Sequence, residues 1–465
     1  VNRSPLEQQV LERIRPSPAE RNHVEEIAGR IIQLFEERGV SAMVVGSVAR
    51  HTWVSGDRDL DIFMLFDPGL PREELERKGL SLAREVTSLF GAVYREKYAE
   101  HPYINACIEE IDVDLVPCYR VENARTIQSA VDRTPFHTRY IQERIEPYID
   151  DVLLIKQFSK AGGVYGSDQM TEGFSGYLTE LLILTYGGFI PVLESASQWR
   201  PGTVIDPEGH RAKEFDEPLV VIDPVDPERN VSASVSLTRM YEFVELARGY
   251  LASPTRSFFF PPEQPPGNYD EFVAERARRG TPLYALRFAT PPFIEDIVVP
   301  QLRKSTEAVC DLLERHGFSV NRADYCMRSD ECMLIFELLV DRVPTVKRHA
   351  GPPLWNRANA EKFAAKYRDN RIPSHYSGPY IEDGCYMVEI ARRFTCAADL
   401  LRSHEVLDVG LGKHVKQSMI ERWDLDEGDA CWHEEYHAFL SAFFLKSSPL
   451  VRIRRSDRGD TGDII

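Results

Sequence analysis

The chain has 465 residues, 43% apolar and 28% charged. That balance excludes a disordered, collagen-like or small disulfide-stapled protein and, at about 150 residues per domain, predicts three domains. Its 56 basic and 73 acidic residues leave −17 at pH 7, which argues against broad, non-specific nucleic-acid binding. No apolar run approaches the roughly 20 residues that span a bilayer, so no membrane partner is expected. No secretory signal is visible, and the eight cysteines contain no Cys-x-x-Cys pair. A reduced, cytoplasmic setting is the expectation.

Ser4-Pro5-Leu6-Glu7 and Ser17-Pro18-Ala19-Glu20 each place Ser at an N-cap, Pro at the first helical position and Glu three residues after the cap, predicting two helices with capping boxes. The second carries Val24, Ile27, Ile31 and Phe35 at helical spacing and stops by Gly39. A strand at Ala42 to Val45 leads into Gly46-Ser47, and another covers Asp59 to Phe66. A helix from about Pro71 to Leu89 precedes strand-like segments at Ala92 to Tyr98, Tyr103 to Ile108 and Ile111 to Tyr119. Helices are expected over Val152–Phe158, Gly176–Phe189 and Leu237–Leu251. The Pro-rich run from Phe260 to Gly267 reads as a linker. A strand at Tyr284–Phe288, a helix at about Val299–His316 and strands at Asn321–Arg328 and Glu331–Leu339 then predict a second α+β unit. The last ten residues, from Ser456, read as a frayed end, and no internal repeat is present.

Asp59 and Asp61 lie two apart in one strand, so both carboxylates leave the same face; Asp112 and Asp114 repeat the pattern. Acids heading apolar strands are costly unless compensated, and hard oxygen donors suit magnesium. Three such acids on adjacent strands can hold two ions for in-line phosphoryl transfer. Strand ends facing solvent are the alternative. Upstream, the turn at Gly46-Ser47 exposes N–H groups and a hydroxyl to an anion, and Arg50 can add a contact to phosphate. Gly-Ser, then Asp-x-Asp, then a third strand Asp is a much more specific pattern than any part alone.

These residues resemble the nucleotidyltransferase superfamily that includes DNA polymerase β and poly(A) polymerases. More closely, they resemble the archaeal, class I CCA-adding enzymes. The likeness runs through Val45 to Trp53, Ala99 to Tyr103, Val113 to Tyr119, Ser129 to His137, Gly173 to Leu178, Val221 to Asp226 and Arg229 to Val231, and extends from about residue 20 to at least 350. It implies an α+β protein: a catalytic domain with a polymerase β-like palm at 1–150, a mainly helical nucleotide- and tRNA-binding domain at 151–260 and an α+β tail contacting tRNA at 261–465. It also implies that Asp59, Asp61 and Asp114 hold two magnesium ions; the first position can carry Asp or Glu. Ser47, Arg50, His137, Lys156 and Tyr165 would bind ATP or CTP, and Arg229 would read the incoming base. The implied activity is template-independent addition of C, C and A to tRNA 3′ ends, by a homodimer, with release of pyrophosphate. A poly(A)- or poly(U)-type transferase and a silent RNA-binding protein of the same fold are the alternatives; retention of all three carboxylates weighs against the last.

Two further features need placing. From Arg342 to Arg371, eight Lys/Arg face only Glu361 and Asp369, a +6 segment in an acidic chain. It reads either as a tRNA acceptor-arm contact, with Lys347, Arg348 and Arg357 flanking a rigid Gly351-Pro352-Pro353 loop, or as a solvated helix face. His433-Glu434-Glu435-Tyr436-His437 fits the His-Glu-x-x-His pattern, which would set both histidines on one helical face. A catalytic zinc needs a third ligand; no metzincin continuation and no Glu follow His437, so a helix packed on a core is expected instead.

Overall fold

The computed structural model describes residues 3–98, 101–124, 126–262, 267–368 and 375–459. Parts of the expected linker, of the basic segment (Asp369 and Arg371) and of the C-terminal end, and Ala99-Glu100, lie outside them. The chain forms two compact units, 1–263 with 447–465, and 264–446.

In the first unit, helices α1 (Pro5–Ile14) and α2 (Pro18–Glu36) begin at the expected caps: Ser4 and Ser17 accept from the amides of Glu7 and Glu20. Only the first capping box is reciprocal. Glu20 instead accepts from Ser55 Oγ and Gly56 N, both at 2.9 Å, tying down the loop that leads into the next strand. Strand β1 (Ser41–Val45), the short helix α3 (Gly46–Ala49), β2 (Asp59–Phe66), helix α4 (Arg72–Leu89), β3 (Tyr94–Tyr98), β4 (Pro102–Ile108) and β5 (Ile111–Tyr119) follow. They form a sheet of order β1-β2-β5-β4-β3, antiparallel except that β2 and β5 run parallel. One face sends Leu60, Ile62, Met64, Ile104, Ala106, Val113 and Leu115 onto Ile27, Ile31 and Phe35 of α2 and Ala83 and Val86 of α4. Period two in the strands matches period 3.6 in the helices, so the other face is left for chemistry.

Helices α5 (Thr134–Gln142), α6 (Ile149–Ala161), α7 (Gly176–Tyr186), α8 (Phe189–Ala196) and α9 (Leu237–Ala252) form the second half, with a small sheet of β6 (Thr203–Ile205), β7 (Leu219–Asp223) and β8 (Asp226–Asn230). The helix expected over Gly176–Phe189 ends early. Gly187 takes a left-handed φ of +80°, where a side chain would be strained, and α8 sets off at 95° to α7. Apolar as this bent pair is, no single helix among the described residues is long and apolar enough to cross a membrane. Phe158 of α6 lies among Phe189, Phe243, Tyr250, Phe258 and Phe259, with ring centroids 5.7–6.1 Å away.

The second unit contains α10 (Tyr269–Arg279), β9 (Leu283–Ala289), α11 (Glu295–His316), β10 (Ser319–Met327), β11 (Glu331–Val340), β12 (Val346–Pro353), α12 (Arg357–Tyr367), β13 (His375–Glu382), β14 (Cys385–Ala391), α13 (Ala397–Leu401), α14 (Lys413–Glu421), β15 (Asp424–Glu427) and α15 (His437–Phe444). Its sheets have orders β10-β11-β9-β15 and β12-β14-β13. Helix α11 begins a turn before its expected start and carries Pro300 within it. Gly351-Pro352-Pro353 is not a loop: it closes β12, pairing with β14 across a register shift between Ala350 and Pro353, which is how a strand accommodates Pro at an edge. The expected tail of 261–465 also differs from this unit. Helix α16 (Pro449–Gly459) belongs to the first unit, where Ile453 joins the helical core and Leu450 packs against it.

Phe158→Ala should destabilise the first unit by about 3–5 kcal/mol, through lost burial and the cavity left behind. Native-state hydrogen exchange should report it as lost protection in α6 and α9, with β9 to β11 unaffected.

Candidate active site

In the parallel register of β2 and β5, Asp59 lies opposite Asp112 and Asp61 opposite Asp114. All four carboxylates therefore share the face turned away from α2 and α4. Asn105 of β4, opposite Asp114, donates from Nδ2 to Asp112 Oδ1 at 2.6 Å and to Asp114 Oδ1 at 2.7 Å. The turn after β1 closes on the same acids. Gly46 has φ +71°, and a Cβ there would stand 2.2 Å from Asp61 Oδ2, so glycine is required twice over. Ser47 follows at the head of α3.

Burial, with repulsion from Asp114, Asp59 and Asp112, pushes the Asp61 carboxyl up to about 7 even though Arg50 opposes it. Burial, Asp57 and Asp112 raise Asp59. Burial also raises Asp114, against the pull of Asn105 and Lys97. The acids are thus under-compensated by the protein itself. An all-carboxylate set of this kind fits a hard divalent cation. Among the described residues no three acidic, histidine or cysteine side chains are already posed around one ion. The register supplies the donors, and side-chain rotation would have to complete a coordination shell.

Beside the acids lies a buried ionic cluster centred on Glu180 of α7, a residue with no exposed surface. Arg50 Nε stands 2.9 Å from Glu180 Oε2 and Lys156 Nζ 3.5 Å from Oε1; the Thr52 hydroxyl donates to Oε1, and Lys156 donates to the Thr52 carbonyl at 2.9 Å. Arg50 also donates to Thr138 Oγ1 at 3.3 Å. Burial alone would raise the Glu180 carboxyl, but Arg50 and Lys156 hold it below its ordinary value. Burial pulls the Lys156 ammonium down while Glu180 opposes. Arg50 and Lys156, read from sequence as phosphate ligands, are therefore both nine-tenths buried or more and engaged by a carboxylate. Tyr165 is half-buried close by; its hydroxyl would stand 3.0 Å from a Cβ at Gly176. Burial pushes that hydroxyl up, so it stays neutral and can donate.

His137 and Arg229 meet at a third carboxylate. His137 Nε2 lies 2.8 Å from Asp223 Oδ2, Arg229 Nη1 donates to the same oxygen at 2.7 Å, and the Tyr177 hydroxyl donates to Oδ1 at 3.1 Å. The His137 and Tyr177 rings stack at 4.1 Å. Burial opposes ionisation of Asp223, yet His137 and Arg229 hold it down to about 2. Burial lowers His137 in turn, so its Nε2–H donates from a neutral ring. A cavity of about 850 Å³ opens here, lined by His137, Tyr177, Arg229, Arg133, Lys213 and Phe215 among others. The structure thus gathers Asp59, Asp61 and Asp114 on one face, Arg50 and Lys156 around Glu180, and His137 and Arg229 around Asp223.

Lys347, Arg348 and Arg357 belong to the second unit. Lys347 and Arg348 lie on β12, Arg348 paired with Glu382; Arg357 opens α12, pairs with Glu361 at 2.8 Å and is highly exposed. His433 and His437 do not share a helix. A 3-10 turn at Glu434–Tyr436 separates them; His433 Nε2 contacts Asp426 at 2.8 Å, while His437 begins α15 and its Nδ1 contacts the Glu434 carbonyl. The expected core helix starts only at His437.

A Gly-Ser turn closing on two acids of one strand, which face a third acid on its parallel neighbour, defines a nucleotidyltransferase, and the family model for the nucleotidyltransferase domain matches residues 24–137. Models for the second domain of tRNA nucleotidyltransferase and the C-terminal domain of CCA-adding enzyme match 150–260 and 279–428. The CCA-adding enzyme of Methanoregula boonei is 57% identical over 98% of this chain and 99% of its own length. That of Methanosarcina acetivorans is 42% identical over 91% and 94%, and that of Haloarcula marismortui 44% over 88% and 91%. The chain belongs to the family of CCA-adding enzymes. Among solved structures, E. coli CdnC with ATP matches at a TM-score of 0.42 and 14% identity, over 55% of this chain and 94% of that one.

Asn105, Thr52, Thr138, Glu180, Tyr177 and Asp223 are members of these clusters that sequence reasoning did not single out as site residues. Tyr177 and Asp223 lie inside segments that carry the family resemblance, and Asp112 lies in the second acidic strand. Nothing in the apolar run around Glu180 marks it except one acid among leucines.

Glu180→Ala should cost about 3–5 kcal/mol, because it leaves two buried cations unpaired; thermal unfolding measures it. Asp223→Asn should lose roughly 2 kcal/mol at pH 7, since a native carboxyl near 2 against an ordinary one near 3.8 favours the folded state once ionised. That advantage is whole above about pH 4 and should vanish as pH falls through about 2, read from denaturation midpoints of both proteins.

Proposed function

We propose that this protein builds and repairs the CCA terminus of tRNA, adding C, C and A to the 3′ end from CTP and ATP without a nucleic-acid template. The observation that carries this reading is the in-register carboxylate face of Asp59, Asp61 and Asp114 in a chain of this family. Asp59, Asp61 and Asp114 would hold two magnesium ions, which when bound supply the positive charge that favours an ionised RNA 3′-oxygen and offsets charge on the triphosphate. The 3′-hydroxyl gives up its proton to solvent, its oxygen bonds to the α-phosphorus, the bond from that phosphorus to the oxygen bridging to the β-phosphate breaks, and pyrophosphate leaves. Ser47 and the N–H groups at the head of α3 face the phosphates. Arg50 and Lys156, held by Glu180, act as a fixed positive field beside Asp61. Tyr165 and His137 donate to phosphate or ribose oxygens. Arg229, its planar fork set by Asp223, faces the base.

The acceptor arm of tRNA is read through Lys347, Arg348 and Arg357. An A-form stem offers phosphates and 2′-hydroxyls in a shape common to all tRNAs, so one basic strand and helix start can serve every substrate. A homodimer in a cytoplasmic setting completes the reading; the eight unpaired cysteines suit a reducing compartment.

Incubated with magnesium and tRNA trimmed before CCA, the protein should add two residues with CTP alone, three with CTP and ATP, and then stop. A long adenosine ladder on an arbitrary RNA primer would instead assign it to the poly(A) class, and binding without addition to the silent class. Asp61→Ala and Asp114→Ala should each abolish addition while leaving tRNA affinity in gel-shift titrations nearly intact. Lys347→Ala with Arg348→Ala should weaken tRNA binding by about 1 kcal/mol per lost contact and flatten the log-log salt slope by about one unit each. An unchanged slope would place the tRNA elsewhere.

A further inference from the structure

Asp61, Asp114, Asn105 and Arg95 form one row across the first sheet, each directly opposite the next on the neighbouring strand. Asp114 therefore has a carboxylate on one side and a carboxamide on the other. Asn105 Nδ2 carries two hydrogens and commits both, one to Oδ1 of Asp114 at 2.7 Å and one to Oδ1 of Asp112 at 2.6 Å. Among the described residues no other side chain donates to any of the four acids. Asp59 and Asp61 receive no such bond, so their carboxyls can turn. Asp114 is pinned through one oxygen, and its Oδ2 is left uncommitted.

We propose that Asn105 is a positioning residue for the divalent metal: it fixes the rotamer of Asp114 so that one ligand stands in place before the ion arrives, with Asp112 as the second anchor of the amide. The proposal rests on the reading that Asp59, Asp61 and Asp114 hold the metal. Carboxylates that ligate metals are oriented by such outer hydrogen bonds. The type of side chain follows from the task. A lysine or arginine here would pair with Asp112 and Asp114 and stand in for the cation, and an acid would add a further negative charge. A neutral amide orients two carboxylates and leaves their charge to the metal.

The test uses the full-length protein. Mn2+, a carboxylate-binding ion visible by electron paramagnetic resonance, is titrated without nucleotide or RNA. Addition to trimmed tRNA from CTP is then followed against magnesium concentration. Asn105→Leu, close in size but without a donor, should raise Kd for Mn2+ and the magnesium needed for half-maximal addition by roughly 10- to 100-fold. Saturating magnesium should return addition to near the native rate, and Asn105→Gln, which keeps the carboxamide, should recover part of the lost Mn2+ affinity. An unchanged Mn2+ affinity in Asn105→Leu overturns the proposal. So does a loss of addition that excess magnesium leaves uncorrected, since the side chain then serves packing or RNA. Asp61→Ala separates this proposal from the reading beneath it. If Asp61→Ala weakens Mn2+ binding and Asn105→Leu does not, only the role of Asn105 falls. If Asp61→Ala binds Mn2+ as the native protein does, the ions lie elsewhere and both fall.

Discussion

Four carboxylates set side by side on one sheet face repel one another, and much of the first unit is arranged around that repulsion. Adjacent strands lie about 5 Å apart, where two unit charges at an effective dielectric of 20 cost about 3 kcal/mol. One such pair is a sizeable part of the 5–15 kcal/mol that holds a domain folded. The opposite face offsets it: Leu60, Ile62, Val113 and Leu115 are fully buried or nearly so against α2 and α4. What remains uncompensated raises the carboxyls, most plainly at Asp61. A sheet on which acids are this costly to ionise is suited to binding a cation.

The positive charges around these acids are deployed at two depths. Arg50 and Lys156 are buried and committed to Glu180, so they contribute a field without being free to wander toward the wrong anion. Lys160, Lys97 and Arg95 lie nearer solvent. Neutralising the acids outright with buried cations would remove the reason for metal to bind; leaving them bare would cost stability. Glu180 resolves this by taking up much of the charge of both cations while keeping them in place.

Asp223 does the same for His137, Tyr177 and Arg229. A buried carboxylate with His137 and Arg229 on one oxygen, and Tyr177 and the Val225 amide on the other, fixes three side chains from α5, α7 and β8 at one cavity. Orienting a guanidinium this way lowers the entropy cost of each hydrogen bond it later makes. In the second unit Arg348 and Arg357 are exposed and paired with partly exposed acids, an arrangement that gives up little when a polyanion displaces those acids.

Much of this was legible from local pattern. The caps at Ser4 and Ser17, the strands Asp59–Phe66 and Ile111–Tyr119, and the Gly46-Ser47 turn follow from side-chain chemistry within a few residues, and the acids were recognisable because period two places them on one face. Their partners were not legible. Thr52 and Glu180 are 128 residues apart, and no short-range rule links an acid in an apolar helix to an arginine after a turn. The register that brings Asn105 to Asp112 and Asp114, the break at Gly187, the strand ending in Gly351-Pro352-Pro353 and the separation of His433 from His437 were likewise settled by pairing and packing. The sequence by itself determined which residue types were present and which faces they occupied, since φ/ψ preference and hydrophobic period act locally. Only the tertiary structure decided which charges are buried, which are paired and which face solvent, because desolvation and Coulomb energy depend on everything nearby in space.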